Sequence, residues 1–448
     1  MSENQAQQKD QTLGLKELTA LATGTVISAG LLTVIGPAIS LTGRSVWLAF
    51  AAAVLFGLLL NLPFIFLSSV IRLRGGNYSL VRLLLGDIPG GILVVNLIFL
   101  QLPFATSGIA MGMYVNSLWP FLSPKLIGIV TPTIFLLINL FGIKSMSKVQ
   151  NVMTVLLIGG LLLFIGTGAG HLNAGTFNFS SADYFPKGWS GFNSAMILLV
   201  FSTTMHQTVM NYGANAKDAR RDMPRAIIIT TGIILVIYTG MALVAGNVLP
   251  VAQVAGKPLT LVANRIMPQS LFFIFILFGA VGAIATTMNS LYASAAKPMQ
   301  LGCQDGWFPK SLGKLNQFDV PYRIYFILYG FAVIPILFDM PLNTLINDTL
   351  LIQYLIKIIM LVAILRMPTK YPELWKTSRY HVPNPVFYTL TGISFLAQMF
   401  LIVTAAGNLT TVIVTVSVAL LALGCAYAFY RYKSGKVNLR EVNSQDIV

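Results

Sequence analysis

The sequence predicts an all-α polytopic membrane protein with about twelve spanning helices. Three observations carry that prediction. Of 448 residues, 56% are hydrophobic and 10% charged, against roughly 45–50% and 25% in soluble domains. Apolar stretches of spanning length recur along the chain, bounded by charges or turn residues. The 29 Lys and Arg are spread unevenly over the segments that join them. A mean hydropathy of +0.76 excludes a disordered chain. Gly 38, Pro 21 and Cys 2 exclude collagen, a coiled coil and a disulfide-stapled secreted domain.

The elements follow in order. A polar tail over 1–17 is expected to be a solvated cytoplasmic end, and no cleavable signal sequence is expected in it. Spans are expected over 18–41, 46–70 (between Arg44 and Arg72) and 90–116 (after Asp87 and Pro89). Three more run over 125–142, ending at Gly142 before Lys144, 150–170 (after Lys148) and 189–212 (after Lys187). The basic stretch Lys217–Arg225 precedes 225–248, and 268–296 runs from Pro268 to Lys297. The last four are 323–338, 342–365, 385–406 and 409–430, before a polar cytoplasmic tail at 431–448. The domain organisation read from this is a ten-helix core over 18–366, two additional helices over 385–430 and the two tails.

With the N-terminus inside, 23 of the 29 cations fall on the cytoplasmic side. Arg44, Lys125, Lys187, Lys257 and Arg265 fall outside, and Lys357 lies within a span. One missed span would invert every later loop and destroy that asymmetry. Trp47, Trp119 and Trp189 are expected at outer interfaces, and Trp307 and Trp375 at inner ends or loops, as an aromatic belt requires. The net charge of +15 is therefore topological, and no nucleic-acid partner is expected. Cys303 and Cys425 make no disulfide or metal framework.

Chemistry is expected where a span is broken, because unwound backbone is tolerated in a membrane only where it lines a cavity or is buried in protein. Two spans look breakable. The first carries small residues at Gly24, Ser28, Ala29 and Gly30, with Gly36-Pro37 beyond. The sixth carries Phe201-Ser202-Thr203-Thr204-Met205-His206-Gln207, the most polar run within any span. Free N–H groups of a half-helix attract a carboxylate and free C=O groups attract an ammonium, so two facing breaks suit a zwitterion. The alternative is that the small residues only pack helices closely. Spans one and six are five apart, as expected for inverted repeats over about 18–170 and 189–366 with the site at their interface.

Several segments carry a family likeness. Gly24 to Leu32 resembles the first-span G-x-x-I-G-x-G-I-F signature of the amino acid–polyamine–organocation (APC) superfamily, with Ser28 and Gly30 at two glycine positions. Asn215 to Ile227 resembles its E-x-K-N-P-x-R-x-I-P-R-A-I loop. Asp305-Gly306-Trp307-Phe308-Pro309 with Val320-Pro321, and Phe141 to Lys144 with Lys148 to Gln150, resemble two further loops. The resemblance implies a LeuT-like 5+5 inverted repeat plus two helices. It implies that N–H groups of Ser28, Ala29 and Gly30, beside Ile27, take the substrate carboxylate. Carbonyls of Val26, Phe201 and Thr204 would take the ammonium, with Phe201 as an aromatic gate and Ser202 and Gln207 beside them. Gln207 stands where related exchangers can carry a carboxylate, which argues against cationic cargo, and Leu157 where some proton-coupled relatives carry a lysine.

Other intramembrane polar groups are candidates for coupling. His206, Lys357 and Asp348 are candidates for proton coupling or gating. The favoured reading of His206 is a neutral side chain bonded to freed backbone. Thr286 and Thr287, with Asn289 and Ser290, could offer oxygens to sodium, or join helices. Asn96 and Gln101 either line the pocket or bond a neighbouring helix. His171, His206 and His381 are the only histidines, and no catalytic or nucleotide-binding motif occurs, so no enzyme, metal or cofactor is expected. The function read from the sequence is secondary active transport of amino acids across the cytoplasmic membrane. The favoured form is proton symport of neutral amino acids, with sodium a weaker candidate ion. Exchange for a related amino acid or amine is the alternative, and a non-transporting sensor or partner subunit the reading from another class. A homodimer stays open.

Overall fold

The computed structural model describes residues 12–73, 75–340 and 342–438; within them the side chains of 29, 30, 103, 342–344, 346–351, 406 and 408 lie outside the description. The described residues are predominantly helical and form no strand. Among the described residues, eight helical stretches are long and apolar enough to cross a membrane, and Pro124–Leu140 and Tyr322–Leu337 are shorter apolar helices. All twelve expected spans fall on helices, and the chain is a multi-pass membrane protein.

The first span is two helices, α1 (Leu15–Val26) and α2 (Ala29–Thr42), split at Ile27-Ser28. Gly43, at φ +64°, turns the chain into α3 (Val46–Val70). A short α4 (Gly76–Leu85) leads to the third span, α5 (Asp87–Asn96) and α6 (Pro103–Leu118). That span is also interrupted, over Leu97–Leu102, which the sequence did not suggest. Pro103 has no N–H to continue a helix and fits the restart. Next come α7 (Pro124–Leu140), α8 (Ile143–Ala169) and α9 (Gly188–Val200). Span six then tightens into 3-10 turns over Phe201–Thr203 and Met205–Asn215, jointed at Thr204. The long α10 (Ala219–Asn247) is capped at its start by Asp218.

Short α11 (Val251–Val254) and α12 (Thr260–Ile266) cross to span eight. This begins as α13 (Gln269–Ile274), widens into a π-helical stretch (Phe275–Val281) and continues as α14 (Gly282–Gln304). The remaining elements are α15 (Tyr322–Leu337), α16 (Leu342–Leu365), short α17 (Met367–Lys370) and α18 (Pro372–Lys376), α19 (Asn384–Asn408) and α20 (Thr411–Lys433).

The described parts of both expected tails dock at one end of the bundle, at Leu13 and Asn438; residues 1–11 and 439–448 lie outside the described residues. Leu13 is fully buried and pairs with the linker after span six: its N–H donates to Asn215 O (2.9 Å) and its carbonyl accepts from Lys217 N (2.8 Å). Asn77 N donates to Asn211 Oδ1 (3.1 Å), and its neighbour Tyr78 donates to Asp305 Oδ2 (2.5 Å). Arg82 pairs with the same carboxylate oxygen at 3.0 Å. Burial and that carboxylate push the Tyr78 phenol above its usual range. Asp305 also receives Asn438 N at its backbone oxygen (3.0 Å). Trp307 and Trp375 are therefore not belt residues. Both are buried, with indole N–H groups donating to Tyr78 Oη (3.0 Å) and Asn384 Oδ1 (2.9 Å). Trp189 is 74% exposed, as an interfacial residue should be.

Candidate functional site

The two expected breaks exist and lie together. Helix α1 ends at Val26, and Ile27 leaves the helix at φ −76°, ψ 89°. Four carbonyls at the end of a helix lack intrahelical donors; here Thr23 O accepts Ile27 N, and side chains from two other spans reach Val26 O and Gly24 O. Tyr238 Oη, from α10, donates to Val26 O at 3.0 Å. Thr287 Oγ1, from α14, bonds Ala283 O of its own helix at 2.8 Å and lies 3.1 Å from Gly24 O and 3.5 Å from Ile27 O. Deeper in α1, Thr154 Oγ1 and Gln150 Nε2 of α8 reach Ala20 O at 3.2 and 3.4 Å, and Ser290 Oγ reaches Leu21 O at 3.5 Å.

Span six is held by the same tyrosine. Tyr238 Oη is also 3.3 Å from Ser202 O, so one hydroxyl bridges the breaks of spans one and six. Thr203 Oγ1 bonds Ala53 O of α3 at 3.2 Å. Gly57 makes that approach possible, since a Cβ there would lie 2.9 Å from Thr203 O. At the Thr204 joint, the carbonyl accepts Lys357 Nζ from α16 at 3.5 Å. Gln353 Nε2, one turn earlier, donates to Met205 Sδ at 2.8 Å.

His206 is fully buried and points between α3 and α10. Asn61 Nδ2 donates to Gly57 O (2.7 Å) and lies 3.4 Å from His206 Nδ1, which makes Nδ1 the acceptor. Nε2 then carries the hydrogen and faces Thr231 Oγ1 at 3.3 Å, whose hydroxyl donates to Ile227 O. The arrangement fits a neutral imidazole joining three spans.

The remaining expected residues fall as follows. Ser28 is half-buried between the half-helices, and its carbonyl accepts Leu31 N at 3.1 Å. Ala29 and Gly30 open α2, with side-chain surroundings outside the described residues, as is the side chain of Asp348. Phe201 is half-buried, and Ser202 Oγ bonds back to Leu199 O. Gln207 is 6% exposed and its Oε1 has no partner. Thr286 bonds Ala283 O within its own helix. Asn96 packs against Gly424 of α20 and away from the breaks; Gln101 bonds back to Leu97 O. Sequence reasoning missed Tyr238, Asn61, Asn139 and Gln150. A mid-span tyrosine in α10 was the available signal, because a buried phenol needs an acceptor.

Three comparisons bear on this arrangement. The family profile described as amino acid permease matches residues 13–429. The chain is 26% identical to the branched-chain amino acid permease BcaP of Bacillus subtilis, covering 95% of this chain and 94% of that protein. It is 24% identical to the methylthioribose transporter of B. subtilis (89% and 92% covered). It is 26% identical to the probable threonine/serine transporter YbxG of B. subtilis (72% of each).

Proposed function

The chain belongs to the amino acid permease family, and from that premise we propose that it carries small neutral amino acids across the cytoplasmic membrane by alternating access. The observation that supports this most is the shared hydroxyl of Tyr238, which ties Val26 O and Ser202 O and so brings two half-helix ends together. In this reading the first turn of α2, at Ser28, Ala29 and Gly30, takes the carboxylate. The span-six carbonyls take the ammonium, and Ile27, Phe201 and Gln207 bound the side-chain space. Inverted repeats over about 18–170 and 189–366 would rock around this point, with both termini cytoplasmic. The absence of a described carboxylate bonded at the breaks supports neutral over cationic cargo.

The coupling reading has two forms. Proton symport is the sequence expectation. Exchange is favoured by one observation, an ammonium of the protein itself on the Thr204 carbonyl. The test is uptake of labelled amino acids into proteoliposomes, empty or preloaded, with the proton gradient imposed in either direction. Accumulation into empty vesicles driven by an acidic exterior means symport. Accumulation driven by an acidic interior, or only into amino-acid-preloaded vesicles, means exchange. No saturable uptake of any amino acid would refute the proposal.

A further inference from the structure

Lys357 is a charged side chain in the wrong solvent. It sits within α16, 3% exposed, with Nζ 3.5 Å from Thr204 O and 5.7 Å above the centre of the Phe64 ring. Carbonyl oxygens and ring faces are both cation-seeking. Among the described residues no carboxylate pairs with it, and the described Asp and Glu belong to loops and helix ends. Asp348 lies nine positions earlier, about 13–14 Å along a helix.

The titratable surroundings are sparse. Span six presents His206, bonded to Asn61 and Thr231. Helix α3 presents Phe64 and carries no titratable residue. Tyr354 precedes Lys357 on α16. Of the other helices packed on α16, α4 carries Tyr78 and Arg82, α5 Asp87, α6 Tyr114, α17 Lys370, α19 Tyr388, and α20 Cys425, Tyr427, Tyr430, Arg431, Tyr432 and Lys433. None of these makes a hydrogen bond or ion pair with Lys357.

The carbonyl that Lys357 holds is the joint of span six, where one 3-10 turn ends and the next begins. It is an ammonium seat with an ammonium already in it. We infer that Lys357 is the resident cation of the span-six break and that an amino-acid substrate displaces it, so that the substrate and the Lys357 proton exclude one another. This rests on the reading that amino acids bind between the two breaks. The step balances simply: Lys357 gives one proton to water and becomes a neutral amine, and the substrate ammonium takes the Thr204 carbonyl. Two neighbouring ammonium groups in a water-poor site repel, which enforces the exclusion. A site that holds either a proton or a substrate moves the two in opposite directions, so the coupling is exchange.

The test uses purified full-length protein titrated with L-valine and L-serine, by calorimetry in two buffers of different ionisation enthalpy, from pH 6 to 9. Wild type is expected to release up to one proton per bound amino acid. Its affinity should rise with pH, at most about tenfold per unit for one linked proton. Lys357→Met should bind with no pH dependence and release no proton. Lys357→Arg, which stays charged, should bind at least about tenfold more weakly at every pH. A wild-type proton count of zero, or Lys357→Arg binding as well as wild type, overturns the inference while the amino-acid reading stands. Failure of wild type to bind any of the twenty amino acids overturns that reading itself. The wild-type proton count needs no variant to fold.

Discussion

Gly24 faces a buried amide chain, and a single methyl there should break it. A Cβ on Gly24 would overlap Gln150 Nε2 and lie 3.0 Å from Thr286 Cβ. Gln150 is fully buried; its Oε1 accepts Asn289 Nδ2 at 2.8 Å, and Asn289 Oδ1 accepts Asn139 Nδ2 at 2.9 Å. Turning the Gln150 amide away leaves Asn289 Nδ2 with only Met146 O at 3.3 Å. One buried group left without its partner costs about 1–3 kcal/mol. Forcing a methyl into a filled interior costs about 1–3 kcal/mol more. The gain in helix propensity from Gly to Ala returns only about 1 kcal/mol. Gly24→Ala should therefore destabilise the protein by about 1–5 kcal/mol in sum. Gln150→Ala removes the obstacle and leaves room for the methyl. In a double-mutant cycle read by melting in detergent, the pair should melt well above the sum of the single losses, with coupling of about 2 kcal/mol. Effects that add to within about 0.5 kcal/mol, or a Gly24→Ala protein as stable as wild type, would refute the packing argument.

Three further outcomes are expected. Tyr238→Phe removes the hydroxyl between Val26 O and Ser202 O; melting should show a loss of about 1–3 kcal/mol, and an unchanged melting point would mean the bridge does not hold the breaks. His206→Gln keeps a donor and an acceptor between α3 and α10, so the pH profile of uptake should stay as in wild type; a profile that flattens would make His206 the proton carrier in place of Lys357. Asp305→Asn removes the buried carboxylate of the Arg82 ion pairs and keeps the half-exposed Asp87 at 3.1 Å. Because Arg82 is partly exposed, the loss should fall at or below the lower end of the ~3–5 kcal/mol for a broken buried pair, measured as the melting difference from wild type, and Arg82→Met together with Asp305→Asn should recover part of it.

The spans were legible because each is a long-range repetition of one simple property, and the breaks because Gly, Ser and polar residues cluster where lipid would forbid them. Gly24 to Gly30 brackets the break at Ile27-Ser28, and Phe201 to Gln207 brackets the joint at Thr204, although the 3-10 turns run on to Asn215. The partners of that backbone were not legible. Tyr238 lies 212 positions from Val26 and Thr287 lies 263 from Gly24, and nothing in a single sequence states which face of α10 or α14 meets α1. The interruption of span three was hidden because Leu97–Leu102 is almost wholly apolar. Trp307 and Trp375 show the opposite error. Their positions near span ends fit an interface, but their indoles are buried by tail and loop packing that hydropathy cannot report.

The bonding at the breaks also narrows where recognition can occur. A broken span exposes backbone groups that cost several kcal/mol each if left dry. Here several described carbonyls at the end of α1 already have partners: Thr23 takes Ile27 N, Gly24 lies in reach of Thr287 and Val26 of Tyr238, while Thr154, Gln150 and Ser290 reach Ala20 and Leu21 deeper in the helix. The side-chain bonds join α1 to α8, α10 and α14 and would have to be exchanged for an ammonium to bind there. At span six the Ser202 and Thr204 carbonyls are shared with one phenol and one amine, and Gln207 Oε1 is left over. Of these occupants only the amine can leave by losing a proton. An arriving ammonium that displaced Tyr238 would strand a buried hydroxyl, whereas one that displaced Lys357 would discharge a buried cation. The second exchange is the less costly, and on the proposed reading it favours Thr204 for the ammonium end of a zwitterion, with the carboxylate toward the first turn of α2.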